Sequence, residues 1–526
     1  MKKFNKYIGI WVFLLVFLSS CNDYLDINVD PSVPQKTASE NILPPIMAQM
    51  VRGEAFDTRY FGLYTQMFAT NQATGFANFE RYGYTPSNDA AGEKWRSHYY
   101  SIGLNIDLIL NDAATTNSLD LTGVAKAIRA WSWQSSTDVY GEMILTQAWE
   151  PNRYVFDFDS QEKVYAEVVR LSNEALADLG KATSVRLVKS DLVYKGDLNR
   201  WKKFIYGNLA RNANHLSAKS SLYKPDDVIK YCDLAMASNA DNFAVPHAGT
   251  VADNSNPFAP IRNNLSQFRP SVMIVKMLDG TQFGGVRDPR LAVMIPACRD
   301  SVYRGLGLFA TDPNNALVPT PAQAKLQIPN IWGYVPGNLG GIVNGASTLL
   351  SPGQTATTGR WIFSDAAPHY LMTYSEILFM KAEAIFRKGD KTTAFDTYKK
   401  AIEAHLDFCA IPAAAKTTYL TSLAVKQLAT DLTLSDILQQ KYIALWGHGA
   451  LEVWVDMRRV NYDPLVYPAQ TILTPTNFYP DNGGQNFPYR ARPRYNSEYV
   501  WNLESLKKFG GDKADFHTTK PWFLIP

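Results

Sequence analysis

Cysteine is scarce in this chain: four in 526 residues, at positions 21, 232, 298 and 409. Widely spaced and with no CxxC among them, they make a poor disulfide framework and argue against a thiolate metal centre or a dithiol redox site. Cys232, Cys298 and Cys409 are expected to be buried free thiols. An excess of one charge is missing too. Fifty-two Lys plus Arg face 49 Asp plus Glu, a formal charge of +3. Without a long single-sign run, this is not the field of a nucleic-acid or anionic-membrane binder. The seven histidines, at 98, 215, 247, 369, 405, 448 and 517, form no HExxH and no close His–carboxylate cluster along the chain, so no metal is expected. A GxSxG elbow and a GxxxxGK[ST] loop are likewise absent. Gly305-Leu306-Gly307-Leu308-Phe309-Ala310 fits a loose dinucleotide fingerprint, but no apolar strand leads into it and Asp312-Pro313-Asn314 follows. That context excludes the reading, and no cofactor is expected.

What is present begins at the N-terminus. Lys2, Lys3 and Lys6 open an apolar run at 7–18 that ends in Leu18-Ser19-Ser20-Cys21. The run is shorter than the roughly 20 residues that span a bilayer, so it reads as a removable secretory signal. No later segment approaches spanning length. Leu-Ser-Ser-Cys resembles the lipobox of bacterial lipoproteins, in which the cysteine is acylated and becomes the mature terminus. At about 0.8 kcal/mol per buried acyl CH₂, several chains on Cys21 would hold the protein at a membrane.

Behind Cys21 comes a polar tether ending near Pro31 and Pro34, and then helical periodicity takes over. Trp95, Tyr99, Ile102, Ile106 and Ile109 step by four and three along one face. Val124, Ile128 and Trp131, then Val164, Val168, Leu171, Ala175 and Leu179, and then Trp201, Ile205 and Leu209 repeat the pattern. Between about 240 and 360 periodicity fades amid Pro and Gly, which predicts long loops with short hairpins; loops of that length are commonly functional. Helices resume with Leu371, Tyr374, Leu378, Ala382 and Ile385, break at Gly389-Asp390, and continue with Ala394, Tyr398 and Ala401. Small residues at that spacing match a tetratricopeptide repeat, which needs stacked neighbours to bury its faces; a plain helical hairpin is the alternative. The chain thus divides into a signal (1–20), a lipidated tether (21–40), a helical repeat part (41–239), a loop-rich subdomain (240–361), and a second helical part with the C-terminal segment (362–526).

Several segments are together similar to the SusD/RagB family of nutrient-binding outer-membrane lipoproteins. They are Cys21-Asn22-Asp23-Tyr24-Leu25-Asp26; Trp95 with Tyr99 and Asn105; Asp138-Val139-Tyr140-Gly141; Gly196-Asp197 followed by Trp201-Lys202-Lys203-Phe204; Asp288-Pro289-Arg290-Leu291; and Tyr374-Ser375-Glu376 with Ala382-Glu383-Ala384. Glu452-Val453-Trp454-Val455-Asp456-Met457-Arg458-Arg459 and Pro488-Tyr489-Arg490 with Tyr495 and Glu498 complete the set. Asn199 and Arg200 before Trp201 depart from the family's pattern. The resemblance implies an all-α fold of four tetratricopeptide-like repeats with a loop-rich ligand-binding part, and no catalytic activity. It also implies a TonB-dependent β-barrel transporter as partner, and a lipid-anchored place on the outside of the outer membrane.

Glu452 and Asp456, four apart on one helical face beside Arg458 and Arg459, suit a buried ion-pair network joining the last helices to the body. Catalysis by paired carboxylates would need a raised pKa and a cleft that the sequence does not show. Binding is the better-supported chemistry. Aromatic faces with Asn, Asp and Arg at their edges answer the ring faces and hydroxyls of a sugar. Two segments have that make-up. Residues 71–89 carry Asn71, Arg81, Tyr82 and Tyr84, and 331–334 carry Trp332 and Tyr334, expected to be exposed in a loop. An oligosaccharide is the expected ligand and a peptide the alternative. A scaffold that binds neither and a glycoside hydrolase are the other classes left open.

Overall fold

The computed structural model describes residues 37–70, 75–183, 185–309, 320–333, 360–484 and 486–526. Cys21, Asn71 and Tyr334 lie outside them. Helix α1, Ser39–Tyr64, is followed by the short strand β1, Phe68–Thr70. A long helical stretch starts at Glu93–Arg96, widens into a π-type segment at Ser97–Leu104, and ends as α2, Asn105–Thr116. Four helical hairpins follow: α3 (Leu119–Tyr140) with α4 (Gln161–Lys181), α5 (Leu198–His215) with α6 (Pro225–Leu234), α8 (Tyr374–Lys388) with α9 (Lys391–Phe408), and α10 (Leu434–Leu445) with α11 (Ala450–Arg459). Each packs on the next through α4–α5, α6–α8 and α8–α10. A repeat stacked this way buries the apolar faces that no single hairpin could cover.

The periodic stripes explain the contacts. Val164, Val168, Leu171, Ala175 and Leu179 are buried along α4, and Trp201, Ile205 and Leu209 along α5. Ala382, Ala394 and Ala401 are fully buried where α8 meets α9, small enough to let the helices approach. Gly389 closes α8 at φ +97°, a left-handed value that glycine adopts without strain, and the Asp390 carboxylate caps α9 by accepting from the Thr393 N–H at 3.0 Å. Leu371 departs from its expected helical stripe and lies in a strand.

Between α6 and α8 the elements of the described chain are short, among them β2 (Phe243–Val245), β3 (Phe268–Pro270), α7 (Val272–Leu278), and β4 (His369–Met372) just before α8. The expected local hairpins are not what forms among the described residues. Instead β3 pairs antiparallel with β1, and β2 with β4. A strand of three residues has too few ladder bonds to stand alone, and these form because burial of distant segments brings their edges together. Gly305 serves the same region: a Cβ there would sit 2.3 Å from the Ser271 carbonyl oxygen, so its glycine permits a close backbone crossing.

The repeats are joined by a buried ionic network. His215 stands between Asp138 and Glu452, 3.0 Å from each, and Arg211 pairs with Glu376 at 2.7 Å and approaches Glu452 at 3.5 Å. Asp456 pairs with Lys441 at 2.8 Å and with Arg459 at 2.5 Å, and Arg459 reaches Glu383 at 2.7 Å. Burial opposes ionisation of Glu452 and Glu383, but Arg211 with His215, and Arg459 with Arg387, hold these carboxyls well below their usual range. Asp138 and Glu452 lift His215 to about 9 against the effect of burial. Charges this deep are tolerated only when paired and hydrogen-bonded, so the network fixes how α3, α5, α8, α10 and α11 register with one another.

Candidate functional site

Of the residues singled out from sequence, two are in the core. Trp332 has no exposed surface, so the expected exposed aromatic there is corrected: as folded, its ring offers no face to a ligand. Tyr82, 1% exposed and at φ +62°, accepts a hydrogen bond from Gln66 Nε2 at 2.8 Å, and burial pushes its hydroxyl up to about 12. Arg81 is half-buried, and its guanidinium donates to the carbonyls of Asn477 and Phe478 at 3.1 and 2.9 Å, tying down that loop. Tyr84 lies on a cavity wall. Its hydroxyl donates to Asp481 at 2.9 Å, the Arg492 guanidinium lies 4.1 Å from its ring centre, and the pocket beside it measures about 180 Å³.

A larger pocket of about 500 Å³ opens on the outside of the Glu93–Arg96 turn and the wide segment that follows. Its walls come from three distant stretches: Trp95, Tyr99, Tyr100 and Leu104; Ile144, Trp149 and Phe156; and Arg494, Ser497 and Glu498. The Asp57 carboxylate starts the first wall by accepting from the Lys94 N–H at 2.8 Å. A π-type turn breaks the even helical spacing and is frequent at functional sites. Here it leaves Trp95 buried while Tyr100, the neighbour of Tyr99, is 63% exposed.

Each aromatic wall is held from behind. Trp95 Nε1 donates to Glu498 at 3.1 Å, and the Tyr99 hydroxyl accepts from the Ile144 N–H and donates to the Ile144 carbonyl, at 2.8 and 3.1 Å. Trp149 has φ +61°, an uncommon backbone state for so large a residue. Its Nε1–H donates to the Tyr99 carbonyl at 2.7 Å, and the Arg129 guanidinium lies 4.7 Å from its ring centre. Gly103 makes room for it: a Cβ at 103 would stand 2.1 Å from Trp149 Cζ2. Asn502 exchanges two hydrogen bonds with the Phe156 backbone, at 3.1 and 3.0 Å, and so pins the second wall to the third. Tyr154 and Trp501, neighbours of those walls in sequence, are 83% and 73% exposed.

Charge at the pocket is cancelled. Arg96 pairs with Glu93 at 3.1 Å and Arg494 with Asp89 at 2.6 Å. Burial raises the Glu498 carboxyl above its ordinary range, which disfavours its charged form. Glu498 is the single carboxylate among the lining residues. Flat apolar faces with neutralised polar groups at their edges can grip an uncharged ligand that has ring faces and hydroxyls.

Sequence reasoning placed Trp95 and Tyr99 on a helical stripe and did not single out Trp149, Phe156 or Trp501. The one available signal was local, the run of aromatics amid Pro151 and Asn152. Among the described residues no group of three or more His, Cys, Asp or Glu side chains could hold a metal ion, and no helix is long and apolar enough to cross a membrane.

A family model, SusD-like_2, described as starch-binding and associating with the outer membrane, matches residues 31–480. No curated protein matches. Among solved structures, a SusD/RagB family protein from Bacteroides thetaiotaomicron is 23% identical, with a TM-score of 0.69 over 93% of this chain and 99% of its own. A chitin-binding SusD homologue from Flavobacterium johnsoniae is 19% identical, with a TM-score of 0.66 over 93% of this chain and 98% of its own. A further structure described as a chitin-binding protein is 21% identical, with a TM-score of 0.68 over 93% and 100%. At these identities the likeness establishes the fold.

Proposed function

This chain belongs to the SusD-like family, and from that membership we propose a cell-surface lipoprotein that captures an uncharged oligosaccharide and passes it to a TonB-dependent outer-membrane transporter. The observation that carries the binding step is the aromatic pocket, about 500 Å³, whose cations are paired and whose carboxyl is raised. An apolar wall preset by hydrogen bonds to Trp95, Tyr99 and Trp149 needs little ordering when a sugar ring stacks on it. Relatives described as chitin-binding support an uncharged glycan as the ligand class. The smaller pocket at Tyr84 extends the site, because Arg492 and Tyr495 line it while Arg494 and Ser497 line the larger one. Ligand is held without bond cleavage, and Cys21 acylation keeps the protein at the membrane beside its transporter.

Calorimetric titration with a panel of neutral oligosaccharides tests the reading. Binding is expected to weaken in Tyr100→Ala and Trp149→Ala at unchanged thermal stability in the first of them. Binding of peptides with no glycan bound, or glycan binding indifferent to both changes, overturns it. The transporter step is checked by co-purification of a β-barrel protein with the lipidated chain from outer membranes.

A further inference from the structure

A third pocket, sharing no lining residue with the aromatic one, lies where α1 meets the 252–264 turn. It measures about 120 Å³ and is lined by Arg52, Phe56, Ala252, Pro257, Arg262 and Asn264. Arg52, Phe56 and Arg59 stand at i, i+4 and i+7 on α1, one face of a helix. The Arg59 guanidinium lies 3.5 Å from the Phe56 ring centre and its Nε–H donates to the Phe56 carbonyl at 2.8 Å.

The charge here is only partly compensated. Neither Arg52 nor Arg262 has an ion-pair partner among the described residues; Arg262 donates to the Ala252 carbonyl and feels Asp253 only at longer range. Burial, and then the charge of Arg52, both press the Arg262 pKa downward, which is the mark of two guanidiniums sharing one space. Near Arg59 the acids are Asp57 and Glu93. Burial lifts Asp57 to about 7, so it is only partly charged at neutral pH, and Glu93 is paired with Arg96. The structural alternative, a lattice of surface ion pairs, does not describe this spot.

We propose that the Arg52–Arg262 pocket binds a pendant oxyanion (sulfate, phosphate or carboxylate) carried by a larger molecule. Two like charges facing one pocket repel, and an anion between them turns that repulsion into charge-assisted hydrogen bonds, for which the planar guanidinium fork is well shaped. The volume equals about four water molecules at ~30 Å³ each, room for one oxyanion group. Phe56 and Pro257 give an apolar wall for the carbon that bears it. An acidic glycan distinct from the neutral nutrient and a lipid headgroup phosphate are two sources of the same chemistry.

The test titrates the whole mature protein at low ionic strength with inorganic sulfate, inorganic phosphate and glucuronate, and separately with vesicles containing phosphatidylglycerol. Arg52→Gln and Arg262→Gln are each expected to weaken binding about fivefold or more, while neutral-glycan affinity and the melting temperature stay as in the unaltered protein. Glucuronate binding identifies an acidic-glycan source, and response to vesicles a lipid source; either supports the site. No binding of any probe, or affinities unmoved by both substitutions, overturns it. Because the neutral-glycan titration is read in parallel, failure here is distinguishable from failure of the aromatic pocket.

Discussion

Gly103→Ala is the most revealing small change in the aromatic pocket. The added methyl would stand 2.1 Å from Trp149 Cζ2 and 2.8 Å from the His98 carbonyl oxygen. Ordinary carbon contacts lie near 3.5–4.0 Å, so the ring must retreat by about 1.5 Å, because the carbonyl belongs to the helix and cannot. Retreat lengthens the 2.7 Å bond from Trp149 Nε1 to Tyr99 and draws the ring from Arg129. A neutral hydrogen bond is worth about 0.5–1.5 kcal/mol and a cation–π contact about 0.5–1 kcal/mol, so about 2 kcal/mol of stability is lost. In a protein this large that is a fall of about 2 °C in melting temperature. Glycan affinity drops as well, since an aromatic stacking contact of about 0.5–1.5 kcal/mol corresponds to a roughly two- to twelvefold change. Differential scanning fluorimetry reads the first quantity and calorimetric titration with a bound oligosaccharide the second. If both match the unaltered protein, Trp149 does not rest on Gly103 and the wall is not preset as argued.

Trp332→Ala empties a fully buried site, so it is expected to cost about 3–5 kcal/mol in urea unfolding; a loss of ligand affinity at unchanged stability would restore the surface role first expected of it. His215→Gln tests the buried network by pH. The folded pKa of His215, about 9, lies above the unfolded value near 6.5, so its contribution, roughly 3 kcal/mol, is complete below pH 6.5 and disappears as pH rises through 9. The variant should therefore be much weaker than the parent at pH 6 and close to it at pH 9.5 in denaturant titrations. An equal gap at both pH values would show that His215 is not charged between Asp138 and Glu452.

Local patterns carried much of the architecture. The stripes on α4 and α5 needed only the helical period, and Gly389-Asp390 announced its break because the left-handed residue and the capping carboxylate are both local requirements. The ionic role of Glu452–Arg459 was legible from spacing, although its partners Arg211, His215, Glu383 and Lys441 were not. Trp332 was misread as exposed because a loop-like composition says nothing of whether other segments close over it. The pairing of β1 with β3 was invisible for a related reason: three residues in each strand leave no periodic trace.

The order of residues alone determined the helical hairpins and the near-neutral charge, since each depends on neighbours within a turn or two or on simple sums. Only the folded chain decided which pockets form. The aromatic pocket joins residues near 95, 149 and 494, and the basic pocket joins 52 to 262. Such sites exist as distances between segments hundreds of residues apart, and burial, which sets both the exposure of an aromatic and the charge state of a carboxyl like Glu498, is a property of the whole packed molecule.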